Sequence, residues 1–316
     1  MARLILNRVV LGAGALVLVA VAVFLLTDVL PGDLCTAMLG REARGARLER
    51  CRVEYDTNRP PAERFAAWAS GALRLDFGRT YRRDVPVAEL VAPRLRNTAV
   101  LAGAAALAGV PLAIALGVAA AVRRDGPLDL VVSGLALVAM TLPEFVSATL
   151  LVFLFSIVLG WFPAVSVADV DAPLAELLPA IVLPVIVLAF VMIAHILRLV
   201  RGSMIEALRS DYVRAATLRG VSTPRVVLRH ALPNALLPTI NLVALTLAWL
   251  LGGTLVVEAV FNYPGIGTLL LNAISDRDLP VVQALALLLA ALYLVINLAA
   301  DLAALALDPR LRTTGR

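Results

Sequence analysis

The chain has 316 residues, of which 61% are hydrophobic and 16% charged, and its mean hydropathy is +0.91. This composition excludes an ordinary soluble domain and predicts a polytopic membrane protein. The net charge of +5 is carried by arginine, since the sequence contains no lysine. Such uniform use of arginine indicates a GC-rich coding sequence rather than a nucleic-acid partner.

Six apolar runs are each long enough to cross a hydrocarbon core of about 30 Å, for which a helix needs roughly 20 residues. In chain order they are 9–30, 98–122, 128–162, 177–197, 235–257 and 279–300. The first is too long for the core of a signal peptide and no small-residue cleavage site follows it, so we interpret it as a retained helix. The third is overlong and contains Pro143. It is either one kinked or tilted helix or a short helix followed by a span.

The arginines of the short loops predict the orientation, because arginine-rich loops stay in the cytoplasm. Arginines precede the first run, follow the second, are concentrated in the loop 198–233 and end the chain. In contrast, 164–176 contains no arginine and 261–278 contains only Arg277. We therefore expect both termini in the cytoplasm and the segment 31–96 outside, since long loops translocate largely regardless of charge.

The same pattern divides the chain into four parts. Residues 1–30 are the N-terminal tail and first transmembrane helix, and 31–96 are an extracytoplasmic loop or cap. Residues 97–304 are the transmembrane core, which includes the cytoplasmic loop 198–233, and 305–316 are a cytoplasmic tail. With about 65 residues, the cap is too small for an independent enzyme domain.

The cap contains two short amphipathic patterns, at 45–50 and 61–68, which predict short helices. It also contains both cysteines, Cys35 and Cys51. An oxidising compartment permits a disulfide between them, and two unpaired cysteines are the alternative.

The loop 198–233 is a polar segment with a helical pattern of its own. Apolar residues recur there every four positions, at Met204, Leu208, Tyr212 and Ala216. This spacing places them on one face of a helix from 204 to 219. Gly220 is expected to end that helix.

A second short helix is expected after this glycine. Thr223 is a suitable N-cap and Pro224 a suitable first helical residue, and the helix would run to Leu232 and meet Pro233. Composition alone favours a helix pair on the membrane surface, with its arginines on lipid headgroups. A surface for a partner protein is the alternative.

The spacing of this loop resembles the EAA loop of the permeases of binding-protein-dependent ABC importers. The family pattern is Glu-Ala-Ala, three residues, Gly, nine residues and Ile-x-Leu-Pro. Here 214–216 reads Arg-Ala-Ala, Gly220 follows at the same spacing, and 230–233 reads His-Ala-Leu-Pro. Arginine at the first position is similar to the oligopeptide/dipeptide/nickel branch. The residues to which this resemblance gives a role in ATPase coupling are Asp211, Tyr212, Arg214, Ala215, Ala216, Gly220, Leu232 and Pro233.

Other segments resemble the same branch, so that the resemblance covers nearly the whole chain. They are Leu-Pro-Gly-Asp at 30–33, Leu-Asp-Phe-Gly-Arg-Thr at 75–80, Val-Phe-Asn-Tyr-Pro-Gly-Ile-Gly at 260–267, 278–283 and 307–312. The first of these, with the long outer loop, is similar to the B-type permease, which works with a C-type permease. The chain departs from the pattern at 53–56, where Val-Glu-Tyr-Asp replaces Leu-Gly-Leu-Asp, and at Arg96, which replaces a proline.

The resemblance implies an all-α polytopic membrane protein with six transmembrane helices (a type I ABC importer permease) in the bacterial cytoplasmic membrane. It implies four kinds of partner besides lipid: a second, C-type permease subunit, two ATP-binding-cassette ATPase subunits and an extracytoplasmic substrate-binding protein. The chain lacks the phosphate-binding P-loop motif, so it is not expected to be an enzyme. We expect it to bind no cofactor or metal, and ATP and magnesium to be bound by the ATPase subunits.

The transported solutes of such permeases include peptides, and we expect di- or oligopeptides here, with nickel, glutathione or a sugar-like solute as alternatives. A membrane-embedded enzyme and an ion-driven secondary transporter are alternatives from other classes of protein. No H-E-x-x-H or G-x-S-x-G motif supports the enzyme, and the halves of the core show no internal repeat. An assembly scaffold without a transport path is a third alternative.

Polar residues inside the apolar runs are scarce, so each is a candidate for the transport path. Glu144, beside Pro143, either lines the path or lies at a subunit interface. Glu258 falls near the outer membrane boundary and is a second path candidate or an interfacial residue. Asn297 and Asp301 are expected to pair with arginines at the inner surface.

Overall fold

A computed structural model describes residues 2–29, 35–36, 43–54, 58–81 and 83–307. These residues form helices and loops, and an isolated antiparallel bridge joins Arg79 and Pro86. The helices are α1 (Ala2–Val29), α2 (Gly45–Glu54), α3 (Pro61–Leu73), α4 (Val87–Val122), α5 (Pro127–Thr141), α6 (Glu144–Val152), α7 (Leu174–Ala180), α8 (Val182–Leu208), α9 (Asp211–Leu218), α10 (Thr223–Arg225), α11 (Leu232–Phe261), α12 (Ile266–Asp276) and α13 (Leu279–Leu307). Two π-helical segments, Phe153–Val158 and Val226–Ala231, continue α6 and α10.

Parts of the sequence predictions lie outside the described residues. They are the family-like segment 30–33 and most of the tail 305–316, including all but the first residue of 307–312. Within the described part, both short helices predicted in the segment 31–96 occur, as α2 and α3.

Among the described residues, four helices are long and apolar enough to cross a membrane by themselves, judged by length and composition. The qualifying segments are Leu6–Thr27 of α1, all of α4, all of α8 and Leu279–Ala299 of α13. Two bent helix pairs pass the same test when each is counted as one span, which raises the number to six. The chain is therefore a helical membrane protein with four to six candidate spans, and the count of six stays a prediction.

The overlong third run is two helices rather than one gently kinked helix. α5 and α6 meet at an angle of 114°. The backbone of Leu142 is extended (φ −83°, ψ 131°), as is that of Pro143 (φ −56°, ψ 143°). A proline disfavours helical backbone in the residue before it and cannot donate its own nitrogen to the preceding turn, so it ends α5 at this point.

The chain packs as two units. The first consists of Met1–Arg8, Arg94–Thr268 and Tyr293–Arg316, and the second of Val9–Pro93 and Leu269–Leu292.

The core of the first unit is built around α8, whose apolar side chains are buried along most of its length. Two glycines let α4 approach it closely. A Cβ atom on Gly117 would lie 2.8 Å from the Cβ of Val200, and one on Gly109 would collide with the side chain of Met192. These positions therefore need glycine for packing, since interiors leave no room for an added methyl group.

In the second unit, aromatic side chains join α1 to α3. The ring of Phe24 meets that of Phe65 edge to face, with 5.3 Å between centroids, and Trp68 lies 6.1 Å from both rings. Such pairs are favourable beyond the area that they bury. The same unit contains a disulfide between Cys35 and Cys51, so the structure has the bridge and not the two free thiols.

Candidate functional site

The loop 198–233 does not contain the single helix that its four-residue spacing predicts. α8 continues without a break to Leu208, and α9 begins at Asp211. Between them, the backbone of Ser210 is extended (φ −70°, ψ 152°), and its hydroxyl donates to the carbonyl oxygen of Ala207 at 2.5 Å. A serine that bonds the preceding turn in this way competes with continued helix, which explains the break.

This break separates the residues of the predicted apolar stripe. Met204 is fully buried in α8, whereas Tyr212 in α9 is 44% exposed. The buried anchor of α9 is instead Val213, which packs in one cluster with Val226 and Val227 of the following π-helical segment. The prediction of a continuous face from 204 to 219 is therefore wrong, because tertiary packing redirects the chain at Ser210.

The predicted helix end at Gly220 is confirmed. Its φ of +80° lies in the left-handed region, which costs glycine little because it has no Cβ. The N–H of Gly220 donates to the carbonyl of Thr217 at 3.0 Å, and that of Val221 donates to Ala216 at 3.3 Å. These two bonds form a Schellman motif, which satisfies carbonyl groups at the end of α9.

The second half of the loop differs from its prediction at both ends. The N-cap is Ser222 rather than Thr223, because extended backbone ends at Ser222. The helix does not stop at Leu232, since the π-helical segment leads directly into α11. Pro233 lies at the start of α11, and the widened π-helical turn before it accommodates a residue that cannot donate to the preceding turn.

We call residues 211–231 the α9 hairpin. It presents an exposed surface that combines apolar side chains with arginines. Leu218 is 89% and Leu228 61% exposed. Four arginines are exposed around them: Arg214, Arg219, Arg225 and Arg229.

The residues with a predicted coupling role lie on or beside this surface. Asp211, Tyr212, Arg214, Ala215, Gly220 and Pro233 are exposed, and Ala216 and Leu232 are half-buried. An exposed apolar surface with polar residues around it is typical of a contact with a protein or a membrane. Arginines are enriched in such interfaces as well.

The second candidate residue of the path, Glu258, is fully buried near the end of α11. Its Oε1 accepts a hydrogen bond from the hydroxyl of Thr98 at 2.5 Å, and its Oε2 accepts one from the N–H of Gly267 at 2.6 Å. The Thr98 hydroxyl in turn accepts from the N–H of Ile266 at 3.0 Å. The carboxylate thus caps the start of α12, where N–H groups lack partners within the helix.

The turn around this carboxylate is shaped by glycines. A Cβ on Gly265 would collide with the carboxylate of Glu258, and one on Gly267 would lie 2.6 Å from the Cα of Leu255. Asn97 braces the same turn, since its side-chain amide donates to the carbonyl of Pro264 at 3.0 Å. In this chain, Glu258 therefore stabilises the turn from inside and is not exposed to a path.

Glu144, the first candidate of the path, is placed differently. It is the first residue of α6, directly after the bend, and its side chain is half-buried. Its carboxylate packs on α11 at Gly253, where an added Cβ would lie 3.0 Å from Oε1. It also lines a cleft with residues of α8 and α11.

Sequence reasoning missed the buried ion pair between Asp129 in α5 and Arg201 in α8. Nε of Arg201 donates to Oδ1 at 2.5 Å and Nη2 donates to Oδ2 at 2.7 Å, which is the two-pronged geometry that makes such pairs strong. The hydroxyl of Ser133 and the N–H of Asp125 also donate to Asp129. An aspartate just inside an apolar run was the available signal, but nothing in the pattern identifies its partner.

The expected pairing at the last helix is half right. Asp301 pairs with Arg8 at 3.1 Å, as predicted. The side-chain amide of Asn297 donates to the carbonyl of Tyr293 on its own helix at 2.9 Å, and no described arginine bonds to it.

Its long apolar helices define the chain as a helical membrane protein. The chain matches the family described as "Binding-protein-dependent transport system inner membrane component" over residues 113–313, and it belongs to that family.

Its relatives are similar along their whole length. The chain is 38% identical over 313 residues to a putative peptide transport system permease protein of Brucella abortus (strain 2308), with 99% of each chain covered. It is 34% identical over 308 residues to a probable peptide ABC transporter permease protein of Sinorhizobium fredii, with 98% of each covered. It is 35% identical over 297 residues to a glutathione transport system permease protein of Pectobacterium atrosepticum, with 94% of each covered. The chain is thus an ABC importer permease of the peptide branch, and the permease subunit of such a transporter is not itself the ATPase.

Proposed function

We propose that this chain is one of the two transmembrane subunits of an importer of di- or oligopeptides, and that the α9 hairpin receives the motion of the ATPase subunits. The observation that carries the proposal is the exposed α9, whose buried residue Val213 fastens it to the transmembrane core. A short helix that is free on one side and fixed on the other fits into a groove of a partner protein.

The mechanism needs no chemistry on this chain. ATP with magnesium binds to two ATPase subunits, and closure of their dimer moves the docked helix. The packing of Val213 against Val226 and Val227 passes that motion into α11, since the π-helical segment and α11 are continuous. Transport is then a shift of population between inward-facing and outward-facing states.

The remaining partners and the orientation follow from the same proposal. A second, C-type permease forms the other half of the path, and an extracytoplasmic binding protein delivers the solute. With the α9 hairpin in the cytoplasm of a bacterial cell, both termini are cytoplasmic and the cap 31–96 is outside. The arginine distribution of the short loops supports this orientation.

Peptides are the solute that the names of most reported relatives support. One relative is named for glutathione, which keeps that solute as an alternative. Nickel and sugar-like solutes are further alternatives within the family. An ion-driven secondary transporter is disfavoured, because the family is binding-protein-dependent.

The test is ATP-dependent uptake of a labelled tripeptide into liposomes that contain the complete importer. Tyr212→Asp should place a charge on the docking face and lower uptake at least about ten-fold, the size of an interface hot spot. Gly220→Pro should do the same, because proline cannot adopt a φ of +80°.

Matched controls are Tyr212→Phe, which keeps the ring, and Gly202→Ala in α8, where the backbone is helical and an added Cβ would meet nothing within 4 Å. Both controls should retain most of the uptake. Normal coupled transport by Tyr212→Asp and Gly220→Pro would refute the role of the hairpin. Uptake that persists on an ion gradient after the ATPase subunits are inactivated would refute the importer mechanism as a whole.

A further inference from the structure

Glu144 is the first residue of α6, directly after the bend between α5 and α6. It lies beside α8 and α11 of the first unit. Its carboxylate packs directly on the backbone of α11 at Gly253, since a Cβ there would lie 3.0 Å from Oε1 and 3.1 Å from Oε2. Glycine at position 253 therefore leaves the room that the carboxylate occupies. The carboxylate is held at the edge of a cleft instead of extending into solvent.

The carboxylate of Glu144 has no counter-ion among the described residues. Throughout the part of the chain that the structure describes, no side chain or N–H group forms a hydrogen bond or ion pair with it. This contrasts with Glu258 and Asp129, whose oxygens all accept hydrogen bonds. A half-buried carboxylate without a partner is costly in an apolar surrounding, so it marks a place where a cation completes the structure.

Ser147 is a second polar group without a partner, one helical turn further along α6. Its side chain is 2% exposed, and its Oγ has no hydrogen-bond partner. Residues three apart lie on the same face of a helix, so Ser147 and Glu144 share one face of α6. Buried hydroxyls are nearly always bonded, and an exception calls for a ligand or an ordered molecule.

The lining of the cleft suits a cation that is attached to an apolar group. Its wall consists of apolar side chains of α8 together with four residues of α11, which are Thr246, Trp249, Leu250 and Val257. Ser147 lies behind Glu144 on α6 and does not line the cleft. Among the residues that line it, Glu144 is the charged one. An indole ring attracts an ammonium group over its face, and the carboxylate neutralises the charge.

We propose that Glu144, with Trp249, forms a subsite for the terminal ammonium group of the transported peptide. This proposal rests on the proposed function, because it needs a peptide as the solute. A protonated amine on an aliphatic chain matches the lining in charge and in polarity. Stabilisation of the start of α6 through the helix dipole is a weaker account, because it leaves the carboxylate without a counter-ion.

The experiment measures uptake by the complete importer of two probes, trialanine and N-acetyl-trialanine, at concentrations that saturate the binding protein. The same binding protein is present in every arm, so its own preference cancels between variants. Glu144→Gln should lower the ratio of trialanine uptake to N-acetyl-trialanine uptake by about ten-fold, as expected for one lost charge-assisted hydrogen bond.

Glu176→Gln is the matched control. Glu176 also lies in the first turn of a helix that follows a proline cap, but it is exposed and does not line the cleft. This variant should leave the ratio unchanged. Ser147→Ala is a second control and should also leave the ratio unchanged, because Ser147 does not line the cleft.

An unchanged ratio in Glu144→Gln would overturn the subsite. Loss of the second permease from the purified Glu144→Gln complex would also overturn it, because the residue would then be an interface contact. Wild-type importer that takes up neither probe would refute the peptide proposal itself. Uptake by the wild type with the same ratio in the variant refutes the subsite alone.

Discussion

Glu258 shows how one buried carboxylate organises the turn between α11 and α12. It accepts hydrogen bonds from Thr98 and Gly267, and the glycines of the turn leave the space that it fills. A buried charged group is tolerated only when such partners surround it. The turn therefore depends on its glycines as much as on the carboxylate.

This dependence predicts opposite outcomes for two glycine variants. Gly267→Ala should lower the stability of the purified protein by about 1–3 kcal/mol, because its methyl group would press on the backbone of Leu255. Gly252→Ala, in the interior of α11, meets nothing within 4 Å and should be neutral or stabilising by up to about 1 kcal/mol. Thermal unfolding in detergent measures both. Equal melting temperatures for the two variants would contradict this account of the turn.

At the scale of the elements, α5 is tied to α8 by the pair of Asp129 with Arg201. The side chain of Asp129 is 4% exposed, whereas that of Arg201 is 28% exposed. Removal of one partner therefore has unequal consequences. A buried carboxylate is left without its cation in one case, and a guanidinium that water can reach is left in the other.

Arg201→Gln should accordingly destabilise the protein by about 3 kcal/mol, and Asp129→Asn by less. The double variant should cost less than the sum of the two, because the singles share one interaction. Thermal unfolding of the wild type, the two single variants and the double variant supplies the double-mutant cycle. The exposed pair of Arg8 with Asp301 is the control, since neutralising it should cost less than about 1 kcal/mol. Additive effects at Asp129 and Arg201 would count against a coupled pair.

Local features of the elements were predictable from the sequence, and features that depend on distant residues were not. Gly220 ends α9 because its own left-handed backbone and the hydrogen bonds of the adjacent turn are sufficient to end a helix. The different surroundings of Met204, which is buried, and Tyr212, which is exposed, cannot be read from a four-residue spacing. Thr98 and Glu258 are 160 positions apart, so no pattern along the chain joins them.

The same distinction applies to the candidate site. The sequence predicted a helix–glycine–helix loop with exposed arginines, and the α9 hairpin has those features. It did not predict that the second helix continues into α11, since a proline such as Pro233 normally indicates the end of a helix. This continuity is the structural feature that makes the hairpin suitable for passing motion to a candidate span.

At the scale of the whole molecule, the chain is a helical membrane protein with four to six candidate spans among its described residues. It belongs to a family of inner membrane components of transport systems, and its relatives are named as peptide permeases. The central claim is that the exposed α9 hairpin is the contact with the ATPase subunits. Leu218, the most exposed of its large apolar residues, is then covered in the complete importer.

Hydrogen exchange on the complex of this chain with the second, C-type permease, measured with and without the ATPase subunits, tests this claim most directly. The account predicts that amides of 211–231 gain protection when the ATPase subunits bind, and that Tyr212→Asp removes the gain while Tyr212→Phe keeps it. Unchanged exchange throughout 211–231, with protection gained in another segment of the chain, would contradict it.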